Sequence, residues 1–190
     1  MVIDKYPLVL IDQNIQIIQQ TSVGTDNALA VSQGLSYISS QGHKNVGILL
    51  PTIDNSVLQE RCDVVFQYSA ITGFPLKQEL WLKDLGHSSE IVSEESIDRI
   101  ALHLTEHPEI TALFAFQYPL AVAADQAARR IGRTTGKDLS ILCLTLLCLF
   151  LADRSLPHLH QDEAAIGEKA VELLLELISH PVQAPRMSKF

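Results

Sequence analysis

Basic residues are in short supply in this 190-residue chain. Fourteen Lys and Arg face 22 Asp and Glu, for a net charge of −8. A broad nucleic-acid surface needs clustered cations to meet phosphates, so this stretch does not carry one. Cysteine is equally sparse, with three residues at no metal-ligand spacing. That excludes a disulfide framework and points to reduced thiols in a cytoplasmic protein. No apolar run is long enough to cross a bilayer; the longest, 139–152, is interrupted by Ser140 and Thr145. The N-terminus has acidic residues within its apolar part and no small-residue cleavage site, so it reads as a strand rather than a signal peptide. Internal repeats and low-complexity tracts are absent. So are G-x-S-x-G, H-E-x-x-H and a glycine-rich phosphate loop, which leaves no basis for an enzyme.

What remains is an ordinary globular composition, 47% apolar and 19% charged. Pro7 to Asp12 reads as a buried strand ending in a carboxylate that either faces a cleft or belongs to a solvated turn. Val31, Leu35 and Ile38 recur at helical spacing, with Asp26 or Asn27 as the N-cap and Gly42 beyond the end. Val46 to Leu50 is a strand covered on both faces. A helix follows from Val57 to about Ile71, capped by Ser56 and closed by Gly73. Leu80 to Leu82 reads as a short strand. Ser93 caps the next helix, with a stripe of Ile97, Ile100, Ala101 and Leu104. Ile110 to Phe116 is a covered strand, Pro119 suits a helix first turn, and Asp138 to Leu147 is the most apolar strand. Glu163 to Ser179 forms the last helix, its buried side marked by Ile166, Ala170, Leu173, Leu174, Leu177 and Ile178. Pro181 and Pro185 then break the chain into a tail. Alternating strands and helices specify an α/β fold with a doubly wound parallel sheet.

Several side chains have a bland alternative. His158 and His160 lack a third metal ligand and read as solvated or packing histidines. Cys143 and Cys148 lie in the apolar run as inert thiols. Asp125 and Arg129 make an i,i+4 surface pair, and Glu168, Glu172 and Glu176 mark a solvated face.

Asp26-Asn27, Gly34 and Gln41-Gly42-His43-Lys44-Asn45-Val46-Gly47-Ile48 resemble the effector domain of the lactose-repressor/galactose-repressor (LacI/GalR) family. So do Pro108 to Ala115, Lys137 to Ile141, Leu159-His160-Gln161 and the 166–178 helix, all in order. The resemblance implies a periplasmic-binding-protein-like fold of two α/β subdomains with a small-molecule effector in the cleft between them. It implies residues 1–25 as part of the first subdomain, 26–150 as the second, and 151–190 as a crossover and last helix returning to the first. It also implies a homodimer, no cofactor, no metal, no membrane, and DNA contact only through a helix-turn-helix outside these residues. The opening strands of the first subdomain are expected to be missing as well, and the closing strands after the last helix to be missing or cut at Phe190, leaving apolar surface bare and hence pairing with another chain or local disorder near both termini. A free-standing solute-binding or interaction domain is the alternative function.

Ligand-contacting residues transfer one at a time. Arg61 falls where the family places an effector-contacting arginine; the alternative is a surface ion pair with Glu60 or Asp63. Phe114 matches a strand position where some members stack an aromatic on the ligand, or else is plain core. Gln117 and Tyr118 stand where the family has Asn-Asp, and Thr145 where it has a carboxylate. Asp26 completes the set. Losing those carboxylates argues against an ordinary sugar effector, because an unpaired hydroxyl in a cleft costs about 1–3 kcal/mol.

Overall fold

The computed structural model describes residues 6–12, 20–52, 55–86, 93–144, 156–180 and 185–190. Its architecture is α/β, with every strand pair parallel. The first strand, β1 (Val9–Ile11), pairs with β2 (Thr21–Gly24). Asp26 caps α1 (Asn27–Ser40) by accepting the Leu29 N–H at 3.0 Å. Val31, Leu35 and Ile38 are buried as their spacing requires. Gly42 takes a φ of 84°, the left-handed turn that releases the chain into β3 (Val46–Leu49).

The cap of α2 (Ser56–Thr72) is Asn55 rather than Ser56; its side chain accepts the Leu58 N–H at 3.0 Å. The signal misread by one residue is physical: Asn and Ser both cap well, and the extended backbone lies at Asn55. Leu80 to Leu82 is not a strand. A 3₁₀ turn occupies Gln78–Leu80, and only Leu82 bridges to Leu49. α3 (Glu94–Glu106) is capped by Ser93, and β4 (Ala112–Ala115) is wholly buried. α4 (Tyr118–Arg130) has Pro119 in its first turn, where no N–H is missed. β5 (Ser140–Leu144) is the described part of the apolar run. Beyond it lie β6 (His158–Leu159), α5 (Glu163–Ser179) and β7 (Met187–Lys189).

β7 corrects the expectation of a tail without closing strands. It pairs with β2, and its neighbours lock the ladder: Ser22 N–H donates to Arg186 O and Phe190 N–H to Gly24 O. Pro185 precedes the strand, so its missing N–H costs the ladder nothing.

Two sheets result, β3-β4-β5-β6 and β1-β2-β7. Side chains alternate along β4, so Phe114 faces a core under α1 and α2 while Leu113 and Ala115 face one under α3 and α4. The smaller sheet packs on α5 through Val9, Val23, Ile166, Ala170 and Leu173. Ile178, expected on the buried side of α5, is 55% exposed. Among the described residues, the helix side chains that pack with the small sheet end at Leu173.

Candidate functional site

Parallel strands leave their carboxyl ends pointing one way, and here both sheets aim theirs at one place. Asp12 follows β1, Thr25 follows β2, and Lys189 ends β7. From the larger sheet come the start of α2, after β3, and the Phe116 carbonyl just past β4. A cleft of about 270 Å³ lies there, lined among others by Asp12, Thr25, Asn27, Ser56, Glu60 and Lys189. That is near the lower end of small-molecule pockets, which run from about 300 Å³ upward.

Two hydrogen-bonded networks build its walls. In the first, Asp12 adopts a left-handed φ of 48°, a conformation Asp tolerates better than most residues. Its Oδ1 accepts the Thr25 N–H at 2.8 Å and the Thr25 hydroxyl at 3.3 Å; its Oδ2 accepts Gln161 Nε2 at 2.7 Å. Gln161 also bonds the Thr25 hydroxyl. Thr25 and Gln161 stand on the two described passages between the sheets, so Asp12 ties both passages together. Gly24 makes the approach feasible: a Cβ there would lie 2.7 Å from Asp12 Oδ1.

The second network runs from one sheet to the other. Lys189 Nζ donates to Glu60 Oε1 at 2.8 Å. Glu60 Oε2 accepts Asn27 Nδ2 at 2.8 Å, and Asn27 Oδ1 accepts Arg61 Nε at 2.9 Å. Arg61 then donates through Nη1 to Phe116 O at 3.0 Å. Burial works to raise the Glu60 carboxyl, but hydrogen bonds from Lys189 and Asn27 outweigh it and hold the group below its ordinary value. Burial pulls the Arg61 guanidinium down, opposed by the charges of Asp12 and Glu60.

Arg61 is therefore not a surface residue paired with Glu60 or Asp63. It is 8% exposed, and its bonds go to Asn27 and a main-chain carbonyl. Gln117 sits at the N-cap position of α4, next to the carbonyl that Arg61 holds, and its side chain makes no capping bond. Asp26 spends its carboxylate on α1 and donates its N–H to Phe190 O at 2.6 Å. Phe114 is fully buried beneath Gly34 and edge-on to Phe116. Tyr118 is buried in the core on the other side of the sheet. Thr145 and Cys148 lie outside the described residues. Asp26, Arg61 and Gln117 are not among the cleft's lining residues; Arg61 reaches the wall only through Asn27, and Phe114 and Tyr118 go into opposite cores.

Asn27, Glu60, Lys189 and Thr25 escaped sequence reasoning as site residues. Glu60 and Asn27 were visible only as an ion-pair partner and a cap. Lys189 gave no local signal, because its role depends on β7 lying beside β2. Cys143 is buried, and burial pushes its thiol up to about 12. No group of three or more metal-ligating side chains occurs among the described residues, and no described helix is long and apolar enough to cross a membrane.

Two parallel sheets with carboxyl ends turned toward one cleft, joined by passages pinned at one carboxylate, define a two-lobed α/β fold. The chain belongs to the periplasmic binding protein-like domain family, whose model matches residues 35–189, and within it resembles LacI-family repressors. It is 26% identical over 172 residues to the HTH-type transcriptional regulator PtxS of Pseudomonas putida, covering 89% of this chain and 48% of that protein. It is 27% identical over 177 residues to the ribose operon repressor of Haemophilus influenzae, covering 92% and 52%. The chain therefore spans about half the length of these relatives, which are regulators and not enzymes. Among solved structures, a LacI-family regulatory protein from Chloroflexus aggregans superimposes with a TM-score of 0.81 at 22% identity, covering 99% of this chain and 67% of that one. A LacI-family regulator from Enterococcus faecium with bound ribose gives 0.77 at 18%, covering 97% and 66%. At these identities the structures speak to the fold.

Proposed function

We propose that this chain is the effector-sensing part of a LacI/GalR-type transcriptional regulator, and that the cleft between its two sheets takes a small hydroxyl-bearing molecule. The observation that carries the reading is the convergence of Asp12, Thr25 and Lys189 from one sheet with Asn27, Glu60 and the start of α2 from the other. A ligand touching both sets favours the arrangement in which the lobes approach, and its preference for that arrangement shifts the population. A ligand that bound both arrangements equally would switch nothing. Residues near 24–26 and 160–162 serve as the hinge, with Asp12 as its pin. A relative named as a ribose operon repressor and a solved neighbour with bound ribose support a polyol, and the wall carboxylates Asp12 and Glu60 supply acceptors in place of those lost at Gln117, Tyr118 and Thr145. In this reading Arg61 acts through Asn27 and the Phe116 carbonyl, holding the wall rather than displaying its charge. The regulator works in the cytoplasm as a homodimer and reaches DNA through a helix-turn-helix outside this chain.

A thermal-shift screen of sugars, nucleobases and small anions on the full-length gene product tests it. Saturating ligand at a hundred times its Kd stabilises the native state by about 2.7 kcal/mol. A sugar that raises the melting temperature, with the rise abolished in Glu60→Ala, is the expected result. A sugar shift that survives intact in both Glu60→Ala and Asp12→Ala would remove the cleft as the site.

A further inference from the structure

We infer that the Lys189–Glu60 ion pair is a latch between the two lobes: it holds the empty cleft in its present arrangement, and a ligand that bridges the same walls must displace it. The second half rests on the cleft reading given above. The first concerns the chain without a ligand and stands apart from it.

Each end of the pair belongs to a different sheet. Lys189 closes β7, in register with Gly24 of β2. Glu60 lies one turn into α2, the helix that follows β3 of the larger sheet. Their side chains meet at 2.8 Å, and both residues line the cleft. The bond therefore crosses the space in which a ligand would touch both lobes. A ligand hydroxyl donating to Glu60 Oε1 competes with the Lys189 ammonium for that oxygen.

Both ends are held before they meet. Glu60 Oε2 accepts Asn27 Nδ2, Asn27 Oδ1 accepts Arg61 Nε, and Arg61 holds the Phe116 carbonyl just past β4. The carboxylate is thus fixed to the larger sheet. On the other side, the Ser22 N–H on Arg186 O and the Phe190 N–H on Gly24 O pin β7 at both ends. Fixing both partners lowers the ordering cost that leaves most surface pairs worth little. The tie is still modest, because the side chains are 38% and 39% exposed and salt screens them. A modest tie suits a latch: a strong one would leave a ligand too little preference to shift the lobes.

The test measures the separation of the lobes in the ligand-free chain. Spin labels are placed at two exposed positions, Ser39 on α1 and Ser179 on α5, and the distances between them are read by pulsed electron resonance. In the parent at low salt one distance should dominate. Lys189→Met, which keeps the stem and removes the charge, should lower the ratio of that distance to all others by about two- to fivefold, the range an exposed pair supplies. Salt at about 1 M, where the screening length is about 3 Å, should do the same to the parent and little to Lys189→Met. Lys189→Arg, which keeps the charge, should behave like the parent. The Asp26 amide, which donates to Phe190 O, should stay protected from exchange in all three chains, because β7 remains on β2. The inference is overturned if Lys189→Met leaves the distances as they are, if salt acts alike on the parent and Lys189→Met, or if Lys189→Met exposes the Asp26 amide, which would make Lys189 a prop of its own strand. The two readings fail separately. A salt-sensitive latch in a chain that binds no screened sugar would stand while the cleft reading fell, and a sugar bound at the cleft with distances indifferent to Lys189 would do the reverse.

Discussion

Asn27 shows how much one amide can decide. Its oxygen faces Arg61 and its nitrogen faces Glu60, an orientation dictated by the two partners. Asn27→Ala strands a buried guanidinium N–H and removes a donor from Glu60, so urea denaturation should show a loss of about 1–3 kcal/mol. Glu60 gives a pH dependence of definite sign. Its folded-state carboxyl titrates below the ordinary value of 4.5 because the bonds from Lys189 and Asn27 outweigh its burial. The stabilisation is complete above that ordinary value and is lost as pH falls through the lowered one. The urea midpoint of the parent should therefore drop more steeply below pH 4.5 than that of Glu60→Gln. Cys143 offers a simpler check. With its thiol pushed up to about 12 by burial, it should resist alkylation near pH 8 until the chain is unfolded, as read by peptide mass mapping.

At the scale of elements, α1 approaches β4 closely at one joint, Gly34 over Phe114. A Cβ on Gly34 would lie 2.5 Å from Phe114 Cζ and 3.1 Å from Leu159 Cδ1. Phe114 is fully buried and has nowhere to swing. Overpacking of this kind costs about 1–3 kcal/mol and exceeds the roughly 1 kcal/mol that alanine gains over glycine in a helix. Gly34→Ala should lower stability in urea despite its better helix propensity. β7 is the second joint. Removing residues 187–190 deletes Lys189 from Glu60 and the Phe190 carbonyl from the Asp26 N–H. The Asp26 amide should then exchange with solvent much faster, and the melting temperature should fall. α1 and the strands β3, β4 and β5 were legible in the sequence because each carries a local apolar pattern and a local stop signal; β6, two residues within a stretch that reads as an irregular crossing, was not. β7 was not, because three residues after two prolines have no period; the edge of β2 makes them a strand.

For the molecule as a whole, the cleft exists because two parallel sheets are joined at their carboxyl ends, and that arrangement can be sensed from the residues only in pieces. The sequence by itself determined the α/β class, the order of helices and covered strands, most caps, and the likeness to an effector domain. The class, the order and the caps follow from spacing within a dozen residues, where helix and strand periods and capping chemistry act; the likeness rests on matching motifs met in order along the chain. Only the tertiary structure decided that Arg61 is buried on Asn27 and the Phe116 carbonyl, that Phe114 belongs to the core, and that Lys189 closes a network begun 162 positions earlier at Asn27. The physical reason is range. Local rules fix which way a residue faces on its own element, whereas what it meets is set by which strands lie side by side, and that depends on packing across the entire chain.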